Sequence, residues 1–205
     1  MPSPETTSTT RSAVISRETA ETSINLSLTI DGSGNVSADT GVPFLDHMLD
    51  AFGRHGRLDL AVTATGDAAM DPHHTVEDVG IAVGQALRIA LGNRAGIERY
   101  GSAYAPLDEA LARVVIDISG RPFLHFEAVM PEPSIGADFA SSLVEEFWRS
   151  VAMNAGLTMH IDLLRARNAH HAAEAIFKAA AVAWRTAARQ TGIAGAIPST
   201  KGVLA

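Results

Sequence analysis

Two short motifs carry the side chains with the clearest chemical meaning. HHTVE occupies residues 73–77 and HHAAE occupies residues 170–174, so each histidine pair is followed by a glutamate one helical turn later. On a helix, residues four apart share a face. Adjacent side chains diverge by about 100° around the axis, so one ion is not expected to bind both histidines of a pair. The spacing therefore favours ligands for two different metal ions at each helix end.

The donors in these motifs are imidazole nitrogens and carboxylate oxygens, without sulfur. Such a set suits manganese, iron, cobalt, nickel or zinc better than calcium, which prefers oxygen throughout. A single histidine pair is more often an ordinary helix end. Two pairs with the same downstream glutamate favour metal binding instead. His47, alone beside an apolar helix stripe, is by itself typical of a partly buried histidine.

The same motifs indicate an internal duplication. A shift of 97 residues superimposes His73-His74 on His170-His171 and Glu77 on Glu174, and a two-residue gap brings Asp46-His47 onto Glu145-Glu146. Copies of roughly a hundred residues do not easily bury a good core alone, so we expect them to pack together and against other subunits. The predicted organisation is a disordered tail over 1–11, half-domains over 12–97 and 98–197, and a C-terminal tail over 198–205.

Each copy is predicted to place its motif at the start of a helix. Apolar and polar residues alternate over 24–30 as in a half-buried strand, and the turn residues of 31–35 predict a hairpin after it. Asp71-Pro72 predicts an N-cap and a proline in the first helical position. The predicted helices cover 43–56, about 71–92, 138–155 and 169–190, the further strands cover 56–67, 112–119, 122–130 and 157–164, and a loop covers 131–136.

Composition excludes several classes of protein. The 205 residues include 16 Lys and Arg against 23 Asp and Glu, and this net charge of −7 argues against a general nucleic-acid binder. No apolar run approaches the roughly 18 residues of a membrane span. The absence of cysteine excludes disulfides and thiol catalysis, and it fits a cytoplasmic protein. What remains is an acidic globular chain with eight histidines.

Six sequence blocks together resemble the imidazoleglycerol-phosphate dehydratase family. The resemblance runs in the family's order and spacing from about residue 12 onward. The blocks are GVPFLDHML at 41–49, DPHHTVEDVGIAVGQAL at 71–87, PLDEAL at 106–111, DISGRP at 117–122, NAHHAAEAIFKA at 168–179 and PSTKG at 198–202.

The resemblance implies both a fold and an activity. The fold would be α+β, an internally duplicated α/β sandwich unit with two four-stranded sheets and helices packed between them. The activity would be a lyase of histidine biosynthesis that converts D-erythro-imidazoleglycerol phosphate to imidazole acetol phosphate and water. It would use two Mn²⁺ per active site, through a dimetal-bound imidazolate and a diazafulvene-like intermediate. The family forms a homo-oligomer of 24 subunits with active sites between subunits.

The resemblance also implies roles for individual residues. Glu21, Glu174 and Lys178 would be the catalytic groups, with the acid and base roles of the two glutamates left open. The phosphate-binding set would be Arg99, Arg121, Ser199 and Lys201. The metal ligands carried over are His47, His73, His74, Glu77, His170, His171 and Glu174.

Two positions depart from the family pattern. Many relatives have histidine where this chain has Glu146, the internal counterpart of His47. A carboxylate binds the same ions at about 2.0–2.2 Å, so we expect Glu146 to be a ligand. Many relatives have glutamine where this chain has Ala51, and any contact made by that side chain would be missing.

Two other functions fit the same ligands. A dinuclear metallohydrolase would use the ions to activate water rather than an imidazole ring. Alternatively, the ions would be structural and hold subunits together without taking part in catalysis.

Overall fold

The computed structural model describes residues 10–66, 68, 71–193, 195–202 and 204. Most of the predicted tail, residues 1–9, lies outside the described residues, as does Asp67 at the end of a predicted strand. Arg11, predicted to belong to the tail, pairs with Asp31 and donates to the carbonyl of Ala188 at 2.9 Å. Regular structure begins at Ser12.

The first half builds a four-stranded sheet of order β1-β2-β4-β3. The alternating residues of β2 bury Ile24, Leu26 and Leu28 under one face, as their period of two predicts. The elements of this half are β1 (Ser12–Glu18), β2 (Thr22–Thr29), β3 (Val36–Asp39), α1 (Pro43–Gly56), β4 (Asp59–Gly66) and α2 (His73–Leu91).

The predicted hairpin at 31–35 is wrong. The tight turn lies before β2 instead, between β1 and β2. These two strands pair antiparallel, with Ser12 opposite Thr29 and Glu18 opposite Ser23. Residues 31–35 instead lead into β3, which pairs parallel to β4. Asp59 fixes this loop, because its Oδ1 accepts the backbone N–H groups of Ser33, Gly34 and Asn35 at 2.9–3.1 Å.

The second half repeats the first. Its sheet has the order β5-β6-β10-β7, with the same pattern of antiparallel and parallel pairs as the first sheet. The structure adds strand β5 and a short β8–β9 hairpin, which the sequence patterns did not predict. The elements are β5 (Tyr100–Leu107), β6 (Ala110–Asp117), β7 (Phe123–Glu127), β8 (Ser134–Ile135), β9 (Phe139–Ala140), α3 (Leu143–Ala155), β10 (Thr158–Arg165) and α4 (Ala169–Ala188).

The four described helices lie between the two sheets. Helix α2 packs on β1 and β2, α4 packs on β5 and β6, and the halves meet where α1 contacts α4 and α2 contacts α3. Small residues allow close approach: a Cβ on Gly84 would lie 2.7 Å from the carbonyl oxygen of Val151 on α3. The architecture is therefore the predicted α+β fold, with two similar halves around one shared core.

The helix starts matter most for the site. Helix α1 covers 43–56 as predicted, with Pro43 at its first position. Helix α2 begins at His73, later than predicted, and Pro72 rather than Asp71 is its N-cap residue. Asp71 still contacts the start of the helix, since its Oδ1 accepts the N–H of His73, the first helical residue, at 3.0 Å. In α4 the N-cap is Asn168, whose side chain accepts the N–H of His171 at 3.1 Å.

Candidate active site

Helices α1 and α4 bring three predicted metal ligands together. Glu174 lies one turn after His170 on α4, and its Oε2 is 3.2 Å from Nε2 of His170 and 3.3 Å from Nε2 of His47. One ligand atom from each residue lies within 4.8 Å of the others. Among the described residues, this is the one group of three or more histidines and acids that meets that distance. Two imidazole nitrogens and one carboxylate oxygen thus converge on one point.

The surroundings keep this carboxylate ionised. Burial raises the pKa of Glu174, but the hydrogen bond and charge of Lys178 and the hydrogen bond of His47 outweigh burial, so the pKa lies below its usual value. Nζ of Lys178 is 2.7 Å from Oε1, on the side of the carboxylate away from the histidines. A charged carboxylate is the form that binds a cation.

An open cleft of about 340 Å³ borders the two histidines. The ring of Phe44 stands edge-on to His170, with centroids 5.2 Å apart, and packs against Phe139 from the β8–β9 hairpin. The side chains of His47 and His170 are nearly half exposed, whereas that of Glu174 is 14% exposed. The ligand nitrogens are therefore accessible to an ion or a small molecule from this cleft.

The second histidine of the pair faces a different partner. The rings of His170 and His171 stand at 84° to each other, and Nδ1 of His171 lies 2.8 Å from Oε2 of Glu109. This hydrogen bond lowers the pKa of Glu109 to about 2, with further help from backbone N–H groups. The same bond raises the pKa of His171. Because an ionised carboxylate only accepts hydrogen bonds, Nδ1 of His171 is the donor.

The first-half motif is arranged in a related way. The rings of His73 and His74 stand at 88° to each other, and Nδ1 of His74 is 3.7 Å from Oε2 of Glu21. Glu77 and Glu146 are each half-buried, on α2 and α3. Within the described chain, the structure does not bring Glu146, His73 and Glu77 into a group as tight as that of His47. Glu146 instead lies 3.9 Å from Nε of Arg149 on its own helix.

The predicted phosphate-binding residues lie together around a separate cleft of about 720 Å³. Arg99, Arg121, Ser199 and Lys201 all line it. Arg99 is held in place by a two-pronged bond to Asp117, at 2.7 and 3.1 Å, and donates to the carbonyl of Pro198 at 2.7 Å. This contact fixes the C-terminal segment against β5. Arg121 is more open, with 61% of its side chain exposed.

Within one chain, the phosphate cleft and the second-half histidines lie at opposite ends of α4. The N–H of Arg99 donates to the carbonyl of Ala187 near the end of the helix, whereas His170 and His171 are in its first turn. Ala187 lies 16 positions after His171, which corresponds to about 24 Å of helix. One small phosphate ester cannot reach across that distance.

Comparison with known proteins decides the family. The sequence model of the imidazoleglycerol-phosphate dehydratase family matches residues 40–184. The chain belongs to this family. Relatives named imidazoleglycerol-phosphate dehydratase include one from Salinibacter ruber, 52% identical over 95% of this chain and 96% of its own. Another from Aromatoleum aromaticum is 55% identical over 95% of this chain and 100% of its own.

Solved structures of the same family share the fold. Imidazoleglycerol-phosphate dehydratase from Staphylococcus aureus matches with a TM-score of 0.80 and 44% identity, covering 88% of this chain and 99% of its own. The enzyme from Pyrococcus furiosus matches with a TM-score of 0.79 and 36% identity, covering 93% and 100%. The resemblance seen in the sequence is confirmed, and the chain is an enzyme of a dehydratase family in histidine biosynthesis.

Some residues at the site were not singled out from the sequence. Glu109 lies inside the PLDEAL block and Phe44 inside the GVPFLDHML block, and neither residue was predicted to have a role of its own. The internal repeat could have identified Glu109, because a shift of 88 residues places Glu21 on Glu109 and β2 on β6.

Ala51, where many relatives have glutamine, is buried in α1 and only 6% exposed. None of the described helices is long and apolar enough to span a membrane.

Proposed function

We propose that this chain dehydrates D-erythro-imidazoleglycerol phosphate to imidazole acetol phosphate, with Mn²⁺ held by the converging histidines and glutamate. The observation that carries the proposal is the meeting of His47 Nε2, His170 Nε2 and Glu174 Oε2 around one point. Family membership supplies the substrate class.

The donor set fits the ion. Nitrogen and carboxylate oxygen are ligands suited to Mn²⁺, and the three atoms are close enough to share one ion after small movements. His171 and the first-half residues His73, His74, Glu77 and Glu146 are the ligands proposed for completing the sites with two ions. Within each histidine pair the two rings are roughly perpendicular and face different directions. Each pair would therefore serve two ions rather than one.

The reaction removes a proton from one side-chain carbon and a hydroxyl from the carbon attached to the imidazole ring. No carbonyl acidifies the proton, so the ring itself must help. Cations held by His47, His170 and Glu174 would favour the deprotonated form of the substrate's imidazole, and the electrons of that ring would then assist departure of the hydroxyl. Glu21 and Glu174 carry the protons: one accepts the carbon proton, and the other protonates the hydroxyl so that it leaves as water. The enol that results becomes the ketone product when its hydroxyl proton is lost and a proton is returned to the ring-attached carbon.

The other residues bind and orient. Lys178 keeps Glu174 ionised and would contact a substrate bound beside that carboxylate. Arg99, Arg121, Ser199 and Lys201 bind the phosphate, and Arg99 also anchors the segment that carries the last two. Binding at the phosphate supplies orientation energy for the distant reacting carbons.

The separation of about 24 Å along α4 supports an active site shared between chains. The phosphate cleft of one subunit would face the histidines of another, and closed symmetric assembly would satisfy every site at once. A 24-subunit shell is the assembly we propose. The cytoplasmic location stays a prediction from composition.

Turnover by metal-free and metal-loaded protein tests the proposal. Protein stripped with a chelator is expected to lose activity and to regain it when Mn²⁺ is added, with imidazole acetol phosphate as the product. The dehydratase proposal fails if the Mn²⁺-loaded protein does not form that product.

The two alternatives give different outcomes in the same assay. Release of inorganic phosphate without the dehydrated product would indicate the dinuclear metallohydrolase. The Glu174→Gln variant tests whether the ions are purely structural. If this variant lost metal and assembly yet kept its activity per chain, the ions would hold subunits together without taking part in catalysis.

A further inference from the structure

The two halves carry equivalent carboxylates beside their second histidines. Glu21 directly precedes β2 and Glu109 directly precedes β6, and these strands occupy the same place in their sheets. Glu21 faces His74, and Glu109 faces His171. The two similar halves therefore each place a carboxylate beside the second histidine of the pair.

The two pairs differ in how firmly they are held. The side chain of Glu21 is 54% exposed and its oxygen is 3.7 Å from the histidine nitrogen. The side chain of Glu109 is 30% exposed and 2.8 Å from His171. Its other oxygen, Oε1, accepts the backbone N–H groups of Arg167 and Asn168 at 3.1 and 3.0 Å. Glu109 thus ties the β5–β6 turn to the start of α4.

We propose that Glu109 is a positioning residue for the metal site, an inference that rests on the proposed function. It holds the His171 ring with the proton on Nδ1, so that Nε2 is the nitrogen presented to an ion. Carboxylates behind metal-binding histidines commonly fix the ring orientation and tautomer in this way. Glu21 occupies the equivalent position in the first half but is more exposed, which suits a group that meets substrate.

The position of Nε2 agrees with this role. It lies 4.0 Å from Oδ2 of Asp108, whose side chain is 76% exposed. The His171 side chain is itself 32% exposed, so an ion or a neighbouring chain has access to the ring. The backbone of the first turn is fixed independently, because Asn168 caps His171 and Oε2 of Glu132 accepts the N–H of Ala169 at 2.7 Å.

Glu109→Gln separates positioning from simple packing. The amide oxygen can still accept the backbone N–H groups of Arg167 and Asn168. The amide NH₂ then faces Nδ1 and needs an acceptor there, which moves the ring proton to Nε2 and blocks that nitrogen as a ligand. We expect Mn²⁺ affinity to fall by about 10–100-fold, measured from the free Mn²⁺ signal in electron paramagnetic resonance titrations of chelator-treated protein.

Glu132→Gln is the matched control. It also removes a charge that accepts a backbone N–H at the start of α4, but Glu132 has no contact with a histidine ring in the described structure. Its Kd for Mn²⁺ is expected to be unchanged. Glu109→Asp, which keeps a charged acceptor, is expected to recover part of the lost affinity and serves as a second variant if Glu109→Gln does not fold.

A double-variant comparison completes the test. Once His171→Ala has removed the ligand, adding Glu109→Gln is expected to weaken Mn²⁺ binding no further. An unchanged Kd in Glu109→Gln, or an additive loss in the double variant, would overturn the positioning role while leaving the proposed dehydratase intact. Failure of the wild-type protein to bind Mn²⁺ would instead overturn the metal assignment of the proposed function, and the positioning role with it.

Discussion

Nζ of Lys178 lies 2.7 Å from Oε1 of Glu174, one helical turn earlier on α4, while the other oxygen of that carboxylate faces His47 and His170. The glutamate therefore sits between a fixed cation of the chain and the point where the histidine nitrogens converge. At 14% exposure, its charge has little contact with water. The lysine supplies the compensation that a buried carboxylate needs.

Replacing Lys178 by methionine is expected to destabilise the metal-free protein by about 1–3 kcal/mol, several degrees in Tm for a chain of this size. The reason is that Glu174 would keep its burial and lose its cation. Mn²⁺ bound at the glutamate would supply positive charge, so the loss should be smaller in the loaded protein. Thermal melts with and without Mn²⁺ measure the difference.

Lys178→Arg is the control for this prediction, because it keeps the charge on a stem of similar length. Its Tm in the absence of Mn²⁺ is expected to fall less than that of Lys178→Met. Equal losses for Lys178→Met with and without Mn²⁺ would contradict the idea that an ion binds at Glu174.

The contact between β5 and α4 gives a second prediction. A Cβ on Gly101 would clash with the carbonyl of Ala183 and lie 2.7 Å from the N–H nitrogen of Ala187. Gly101→Ala is therefore expected to cost about 1–3 kcal/mol by overpacking. Ser102→Ala, at the next and exposed position, should cost little. Denaturation of both variants checks this, and a Gly101→Ala protein as stable as Ser102→Ala would show that the helix can move away.

This same contact explains why strand β5 was not predicted from the sequence. Its segment, YGSAYAPL, has glycine and alanine where a typical strand has large apolar residues. Small residues are required there because the Ala-rich face of α4 lies directly against the strand. The helices α1 and α4 were predictable because their apolar residues repeat at helical spacing and their boundaries carry Pro43 and Asn168.

The metal ligands of the site could be predicted from the sequence better than the residues that hydrogen-bond to them. The repeated HHxxE motif and the family resemblance pointed to His170 and Glu174, and the structure brings them to His47. The pairing of His171 with Glu109 depends on a turn between two strands, one of which was not predicted. The misplaced hairpin has a similar cause: residues 31–35 favour a turn, but the sheet order decides which strand follows it.

Asp59 provides a prediction about pH. Hydrogen bonds from the backbone N–H groups of Asn35 and Ser33, the largest contributions, lower its pKa below the usual 3.8. A lowered folded-state pKa stabilises the fold above pH 3.8, and this contribution disappears as the pH falls through the lowered value. Asp59→Asn is therefore expected to be less stable than the wild type at pH 7, by about 1 kcal/mol.

The pH dependence of that difference is the decisive measurement. Urea denaturation of both proteins between pH 7 and pH 3 should show the gap narrowing only below about pH 4. Ser33→Ala, which removes the hydroxyl bond to the same oxygen and leaves the carboxylate ionisable, is the control. If the difference in free energy of unfolding between Asp59→Asn and the wild type stayed constant with pH, the loop would not depend on the charge of Asp59.

The distance along α4 yields the last prediction, because it separates two groups that the reaction must bring together. If the phosphate cleft and the histidines of one active site come from different chains, two inactive variants should restore each other. Glu174→Gln removes a proposed ligand, and Arg121→Ala removes a proposed phosphate contact at the other end of the helix. In an assembly formed from equal amounts of both variants, about one quarter of the sites would receive both intact residues.

Mixed assemblies of Glu174→Gln and Arg121→Ala can be isolated by co-expression with two affinity tags and purification over both. Their activity per site is expected to be far above that of either variant alone and near a quarter of the wild-type value. Mixed assemblies as inactive as the separate variants would contradict the shared site, since sites contained within single chains can never combine the two intact residues.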